Sequence, residues 1–224
     1  MTIEEYFGDW SKVVDLKEAD KVVKRLASSN KTICPQVKDI FKAFRLCSFN
    51  NLRLVIIGQD PYPQKGVATG LAFANSSDTP QESYSPSLEV LRESVIDYTI
   101  PHRTIIFDPS LEKWEAQGVL LLNSALSCEV GRVGSHVLLW RPFITSFLTN
   151  LSKCSSGIVY ILMGNQAQSL ESCINPTFNH VLRCHHPAWY VRNRIRMPPD
   201  IWKKANEILI GQNGYGIQWY EEID

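Results

Sequence analysis

Four short runs of apolar residues restrict the possible folds of this chain more than any other feature of its sequence. Each run is continuous rather than alternating, and each ends in a polar or glycine-containing turn. Continuous hydrophobicity is typical of strands that are covered on both faces, as in a parallel sheet. The runs occupy residues 52–58, 118–124, 157–164 and 180–187.

Segments with the spacing of amphipathic helices lie between these runs, at 87–98, 142–152 and 166–174. Strands that alternate with helices predict an α/β protein with a parallel sheet and helices on both sides. We therefore expect a three-layer α/β/α fold with a central, mainly parallel four-stranded sheet, in a single domain of residues 1–224.

Two further helices are predicted before the first strand. One covers residues 16–28, and the other begins directly after Pro35, because proline is favoured in the first turn of a helix. In the second helix, Val37, Ile40, Phe41 and Phe44 would share one face.

Charge, cysteine content and hydropathy narrow the class of protein. The 23 basic and 23 acidic residues cancel, so a polyanion would have to bind at a local basic patch. The six cysteines form no C-x-x-C pair, which favours reduced thiols in a reducing compartment over a metal site. The N-terminus has no apolar leader, and no segment is long enough to span a bilayer. We expect an intracellular protein that is not secreted, cytoplasmic or, in a eukaryote, nuclear.

Polar residues follow each predicted strand, at the edge where a parallel sheet binds its ligands. They are Asp60, Asn123, Asn165 and His186. An amide offers a donor and an acceptor side by side, as recognition of a base requires, and the aromatic residues of these loops offer stacking surfaces. Asp60 alone would have a simpler interpretation, as the cap of a turn.

Several chemistries lack their usual residues. The chain has no glycine-rich loop of the Walker type, no serine or cysteine with a clear partner, and no second carboxylate obviously paired with Asp60. The residues at the strand ends therefore favour a nucleobase over a phosphate, acyl or sugar substrate.

Five motifs, in this order along the chain, resemble those of the family 1 uracil-DNA glycosylases. The segments are GQDPYP (58–63, GQDPYH in the family), GLAFA (70–74), SPSLEVL (85–91), LLLNSAL (120–126) and GNQAQ (164–168). The last family motif, HPSPLS, is the least preserved and reads HPAWYV at 186–191. The resemblance extends from about residue 33 to about residue 209.

The resemblance implies a monofunctional DNA glycosylase of base excision repair. Such an enzyme hydrolyses the N-glycosidic bond of uracil that has been flipped out of DNA, and leaves an abasic site. Asp60 would orient or activate the attacking water and stabilise a cation-like sugar, and His186 would stabilise the departing uracil anion. His185 is adjacent, and a shift of one residue in the alignment would exchange the two histidines; Pro187 favours His186.

The same resemblance assigns four residues to the substrate. Asn123 would bond to N3–H and O4 of uracil, and Phe73 would stack on the base. Tyr62 would exclude the methyl group of thymine, and Gln59 would contribute an amide or a backbone group to the pocket.

A further set of residues is expected to contact DNA: Ser85, Pro86, Ser87, Asn165, Ala188, Tyr190 and Arg192. Tyr190 occupies the position of the family's leucine, which fills the gap left by the flipped nucleotide. Residues 183–204 hold six basic residues and one acid, which would supply a local patch for the DNA backbone. A solvated charged face is the alternative interpretation of this cluster.

The resemblance implies no metal and no cofactor, a monomer, and uracil-containing DNA as partner, with a protein inhibitor that mimics DNA as a possibility at the level of the family. Four departures from the family pattern leave alternatives open: Pro63 replaces a histidine, Ala188 a serine, Trp189 a proline and Tyr190 a leucine. One alternative is a DNA-binding or processivity module of the same fold with weak or absent glycosylase activity. The others are an interaction scaffold with a vestigial pocket and a sugar-directed hydrolase, which would need an acid near Asp60.

Overall fold

The structure, a computed structural model, describes residues 3–96 and 104–223. The strands are β1 (Ile33–Cys34), β2 (Leu54–Gly58), β3 (Thr104–Ile106), β4 (Val119–Asn123), β5 (Cys128–Glu129), β6 (Val159–Met163), β7 (His180–Cys184) and β8 (Glu221–Ile223). The α-helices are α1 (Ile3–Phe7), α2 (Leu16–Ala27), α3 (Lys42–Leu46), α4 (Pro86–Val95), α5 (Glu112–Ala116), α6 (Val137–Cys154), α7 (Gly164–Gln168), α8 (Pro187–Asn193) and α9 (Asp200–Asn213). Short 3-10 helices span Gly8–Lys12, Val37–Asp39, Phe49–Asn51, Gln81–Ser83 and Glu171–Cys173.

The four predicted apolar runs form one parallel sheet, in the order β4-β2-β6-β7. All residues of β2, β4 and β6 are buried, because helices cover both faces and leave no polar face to alternate with. The predicted α/β fold with a central four-stranded parallel sheet is confirmed. Since the strands are parallel, their carboxyl ends meet at one edge, and Gly58 lies directly opposite Asn123.

Aromatic side chains pack the helices on this sheet. Phe44 contacts Trp10 and Phe147 edge to face, Trp10 and Phe147 contact each other at an interplanar angle of 52°, and the three rings join the N-terminal helices to α6. Trp114 and Trp202 form a second cluster with Trp219, which joins α5 to α9. Rings of this size bury large apolar areas, so the two clusters account for much of the core outside the sheet.

The helix expected after Pro35 is the clearest error of the sequence-based prediction. The chain instead forms the 3-10 turn Val37–Asp39 and then α3, with a break at Phe41. The break lets the carbonyl oxygen of Asp39 lie so close to Gly70 that a Cβ there would be 2.1 Å away. Contact with a distant segment therefore overrides the local helical pattern.

The other predicted helices differ mainly at their ends. The segment 16–28 forms α2, and the segment 142–152 forms the last part of α6, which begins at Val137. The segment 166–174 divides into α7, which begins at Gly164, and the 3-10 turn Glu171–Cys173. Of the segment 87–98, residues up to Val95 lie in α4, and positions 97 and 98 fall outside the described residues.

Two small antiparallel sheets, which the apolar runs do not predict, complete the fold. They pair β1 with β5 and β3 with β8. Within the described ranges, no helix is both long and apolar enough to cross a membrane.

Gly118, at the start of β4, provides a test of this packing. Its φ is +88°, and an added Cβ would lie 2.0 Å from the backbone oxygen of Asn51. We expect Gly118→Ala to lower the free energy of unfolding by about 3 kcal/mol, the upper end of the usual range for single substitutions. Urea denaturation followed by circular dichroism would measure the loss.

Gly214→Ala is the matched control, because Gly214 has a similar φ of +82° but no atom within 4 Å of an added Cβ. The left-handed backbone conformation alone should lower the free energy of unfolding of this variant by about 1 kcal/mol. Equal losses in the two variants would contradict the close approach of Gly118 to Asn51.

Candidate active site

Three segments meet at the carboxyl ends of β2 and β4. Gly58 is the point of contact: an added Cβ would lie 2.5 Å from Asn123 Oδ1 and 2.7 Å from Cζ of Phe73. The absence of a side chain at Gly58 therefore allows the amide of Asn123 and the ring of Phe73 to share one small space. The loop that carries Gln59 and Asp60 begins at the same point.

Asp60 is half-buried beside this space. Its Oδ2 accepts a hydrogen bond of 2.5 Å from the backbone N–H of Gly134, which precedes α6. Burial raises the pKa of the Asp60 carboxyl, and hydrogen bonds from Gly134 and Gln59 partly offset this effect. The carboxylate is thus held in place at the mouth of the core by a backbone donor that carries no charge.

Asn123 is the last residue of β4 and is only 6% exposed. Its side-chain amide has no hydrogen-bond partner among residues 3–96 and 104–223. A buried amide without a partner is costly, so its donor and acceptor are available to a ligand that supplies the complementary groups.

Phe73 and Tyr62 form a wall of the same space. Phe73 has a φ of +67°, a left-handed conformation that is strained for a bulky side chain and is found mainly at functional sites. The hydroxyl of Tyr62 donates a hydrogen bond of 2.8 Å to the carbonyl oxygen of Phe73, which helps to hold this conformation. Burial raises the pKa of Tyr62, so its hydroxyl remains a donor at neutral pH.

His186 lies on the opposite side, with its ring centroid 5.5 Å from that of Phe73. It caps the N-terminus of α8: its Nδ1 accepts a hydrogen bond from the backbone N–H of Ala188. In the neutral ring the proton is then on Nε2, which can donate to a ligand. Burial, with a smaller contribution from Arg192, lowers the pKa of His186 to about 4.

The two adjacent histidines have different environments. A Cβ at Gly164 would lie 2.8 Å from the Cβ of His186, so His186 packs directly against the end of β6. His185 is exposed and stacks on Trp189, with ring centroids 4.0 Å apart. Of the two, His186 is the one beside Phe73.

The residues expected to contact DNA lie at the starts of α4 and α7 and along α8, which begins at the same edge of the sheet. Most of them reach the surface: Ser85, Pro86, Asn165, Ala188 and Arg192. Ser87 and Tyr190 are 8% and 7% exposed, so neither projects from the surface in this structure. Tyr190 would have to leave its packing to enter a duplex.

Sequence reasoning missed two groups that position the predicted residues. Asn75 is buried, and its side chain accepts a hydrogen bond from Ser85 N (2.7 Å) and donates one to Ser85 Oγ (2.8 Å). Gly134 supplies the N–H that binds Asp60. The sequence signal for Asn75 is its position directly after GLAFA; the backbone contact of Gly134 leaves no local signal.

Within the described part of the chain, no group of three His, Cys, Asp or Glu side chains is placed to hold a metal ion. The site consists of one carboxylate, one amide, one imidazole and two aromatic rings. These groups can bind the edge and the face of a base and can stabilise charge on both sides of a bond that breaks.

Comparisons with known proteins identify the family of this chain. A family model described as the uracil DNA glycosylase superfamily matches residues 44–210. The uracil-DNA glycosylase of Pectobacterium atrosepticum is 36% identical over 194 residues, which cover 86% of this chain and 83% of the relative.

Solved structures show the same fold. Mimivirus uracil-DNA glycosylase superposes with a TM-score of 0.73 at 21% identity, over 96% of this chain and 92% of the other. A tyrosine-to-phenylalanine variant of mimivirus UNG, in complex with UGI, superposes with a TM-score of 0.75 at 20% identity, over 93% and 83% of the two chains. The family model matches most of this chain, and the Pectobacterium enzyme is 36% identical over 86% of it. This chain therefore belongs to the uracil-DNA glycosylase superfamily.

Proposed function

We propose that the protein removes uracil from DNA by hydrolysing the N-glycosidic bond of the flipped-out nucleotide, and that it does so as a monofunctional glycosylase in base excision repair. The observation that carries this proposal is the unpartnered amide of Asn123, buried beside the ring of Phe73 and next to the loop of Asp60. Membership of the superfamily supports it.

Base selection follows from the shape and polarity of the pocket. The carbonyl of the Asn123 side chain would accept a hydrogen bond from N3–H of uracil, and its NH₂ would donate to O4. Cytosine has the reverse polarity at this edge and would leave the amide unpaired in a buried site. Phe73 would stack on the base, and Tyr62 would exclude the methyl group of thymine. The adjacent Gln59 would border the pocket through its amide or backbone.

Bond cleavage would depend on two groups of opposite character. The Asp60 carboxylate would orient the water and oppose the positive charge that develops on the sugar, so its effect increases toward the transition state. His186, neutral because burial lowers its pKa, would donate its Nε2–H to O2 as negative charge develops on the uracil. A neutral donor can stabilise this anion without first losing a proton.

The DNA strand would bind across the starts of the three helices that surround the pocket. Asn75 holds Ser85 in place for a phosphate contact, together with Pro86 and Ser87, and Asn165 lies exposed at the start of α7. On α8, the main chain at Ala188 and the exposed guanidinium of Arg192 would contact the phosphate backbone of the DNA. Tyr190 would rearrange and fill the position that the flipped nucleotide leaves. A DNA-mimicking protein that uses the same groups would compete for this surface, and the mimivirus complex with UGI is in keeping with such a partner.

Asp60→Asn tests the electrostatic role of the carboxylate. The amide keeps the size of the side chain but removes its charge, so we expect the rate of uracil release to fall about 1,000-fold. The assay scores abasic sites in a uracil-containing oligonucleotide, with a thymine oligonucleotide as the specificity control. Unchanged turnover in a folded variant would remove Asp60 from the mechanism.

Gly58→Ala tests the shared space at the base of the pocket. Gly58 does not have a left-handed φ, so the substitution should act only through the new Cβ, which collides with Asn123 and Phe73. We expect kcat/KM for uracil DNA to fall about 100-fold, the cost of misplacing binding groups by about 1 Å. Gly211→Ala, at a helical glycine with nothing within 4 Å, is the matched control and should leave activity unchanged.

His186→Asn tests the protonation state of the imidazole. Asparagine retains an N-cap acceptor for α8 but cannot titrate. The folded protein resists protonation of His186 down to a pKa of about 4, whereas the unfolded chain binds the proton near 6.5. The contribution of His186 to the free energy of unfolding is therefore fully present above pH 6.5. It declines as the pH falls toward 4, by at most about 1.4 kcal/mol per pH unit.

Urea denaturation at pH 7, 6 and 5 measures this slope in both proteins. We expect the wild type to lose more stability than His186→Asn over the same interval. Parallel losses would show that His186 is not held neutral by burial.

A further inference from the structure

A second cavity, of about 640 Å³, opens next to the proposed uracil pocket and runs along the outer edge of β7. This volume lies in the range of small-molecule sites. The residues that matter for its chemistry are Asn165, Gln168, Arg183, His185, Tyr190 and Lys204. Asn165 and Tyr190 are already assigned above to contacts with the DNA strand, whereas Gln168, Arg183, His185 and Lys204 have no role in the chemistry proposed there.

The cavity is continuous with the proposed active site on two loops. His185, on its wall, precedes His186, and Asn165, also on its wall, follows Gly164. Gly164 and His186 are in contact at the proposed active site, and the residue next to each of them in the chain lines the cavity. A strand with uracil in the first pocket would therefore bring a neighbouring nucleotide close to the second.

A stacked pair of rings stands at this junction. His185 and Trp189 are nearly parallel, with an interplanar angle of 15° and centroids 4.0 Å apart. The Tyr190 centroid is 5.1 Å from that of Trp189 and 6.1 Å from that of His185, which places Tyr190 on the same side of the imidazole as Trp189. The other face of the exposed His185 ring is therefore not covered by either ring, and an unpaired base could extend the stack.

The edge of the sheet supplies hydrogen-bonding groups inside the cavity. No strand pairs with the outer side of β7 in the described ranges. His180 N bonds to Ile158 O on the β6 side, and the alternation of a parallel strand then directs the N–H and C=O of Val181 and Arg183 outward. The side chain of Gln168, which also lines the cavity, donates to Cys184 O, a carbonyl that the same alternation directs toward β6.

The charges of the cavity favour a phosphate at one end. The guanidinium of Arg183 forms an ion pair with Glu171, which leaves Lys204 as the cation of the cavity that has no ion pair among the described residues. Asp200 lies one helical turn before Lys204 and would repel an anion, so the phosphate should bind toward the lysine. The basic residues that follow α8 extend the positive surface beyond the cavity.

We propose that this cavity binds the nucleotide adjacent to the uracil in single-stranded DNA, with its base stacked on the free face of His185 and its phosphate near Lys204. The inference rests on the proposed function. Because a base within a duplex is stacked between its neighbours on both faces, the site acts on unpaired DNA and adds affinity for single strands over duplexes.

The test compares single-stranded oligonucleotides that differ only next to the uracil, where either a normal nucleotide or a tetrahydrofuran abasic residue is placed on the 5′ or the 3′ side. For the wild type we expect loss of the neighbouring base on one side to raise KM about tenfold, the scale of one base–aromatic stack. His185→Ala should lose this discrimination, and His185→Phe, which retains a stacking ring, should keep it. Equal discrimination by wild type and His185→Ala would overturn the proposal.

Lys204→Gln and Lys203→Gln form a matched pair, since both lysines are exposed, adjacent on α9 and lose the same charge, but only Lys204 lines the cavity. We expect Lys204→Gln alone to raise KM for single-stranded uracil DNA several-fold. Equal effects of the two substitutions would contradict the phosphate position.

A binding measurement separates this inference from the proposed function. 2-Aminopurine placed beside the uracil should be quenched on binding to an Asp60→Asn protein, and His185→Ala in the same background should abolish the quenching. Quenching that depends on His185 supports the cavity even if the wild type releases no uracil, a result that would refute only the glycosylase activity. Quenching that is independent of His185 overturns the inference while leaving that activity intact.

Discussion

The site depends on a close approach of three segments at Gly58, where only a hydrogen atom separates the backbone from Asn123 and Phe73. The parallel register of β2 and β4 sets Gly58 opposite Asn123, so the amide and the loop of Asp60 leave the sheet at the same level. A shift of register by one residue would turn Asn123 to the other face of the sheet. The proposed recognition of the base and the placement of the carboxylate thus both depend on one strand pairing in the core.

Burial acts on the two titrating groups of this site in opposite directions. It raises the pKa of Asp60 and lowers that of His186, so in each case the low dielectric disfavours the charged form. The proposed chemistry uses the neutral form of His186 and the charged form of Asp60. The backbone hydrogen bond from Gly134 favours the charged carboxylate and so partly offsets the effect of burial on Asp60.

The same loop also holds the backbone at Pro63. Gly131 N donates a hydrogen bond of 2.9 Å to the carbonyl oxygen of Pro63, three residues from the contact between Gly134 and Asp60. Two backbone donors therefore hold the segment from Asp60 to Pro63, and the ring of Pro63 restricts its backbone further. The geometry of Asp60 does not require an imidazole at position 63.

The sequence predicted what depends on local pattern. The continuous apolar runs predicted the four strands. Residues at or just after the ends of those strands, such as Asn123 and Asp60, could be named as candidate site residues. The break of the helix at Phe41 could not be predicted, because it results from contact with Gly70. The Gly134 donor lies 74 residues from Asp60, and a backbone N–H is the same at every non-proline position, so no residue type marks it.

In the proposed function, helix α8 connects the leaving-group side of the site to the surface that would bind DNA. His186 caps its N-terminus, and Arg192 lies in its last turn, roughly 10 Å away along a rigid segment. The positive charge of Arg192 helps to lower the pKa of His186, although burial contributes more. A phosphate bound to Arg192 would neutralise part of this charge and let the pKa of His186 rise. Because burial is the larger cause, the imidazole would stay neutral on DNA, and α8 can bind the backbone without disabling the donor that it positions.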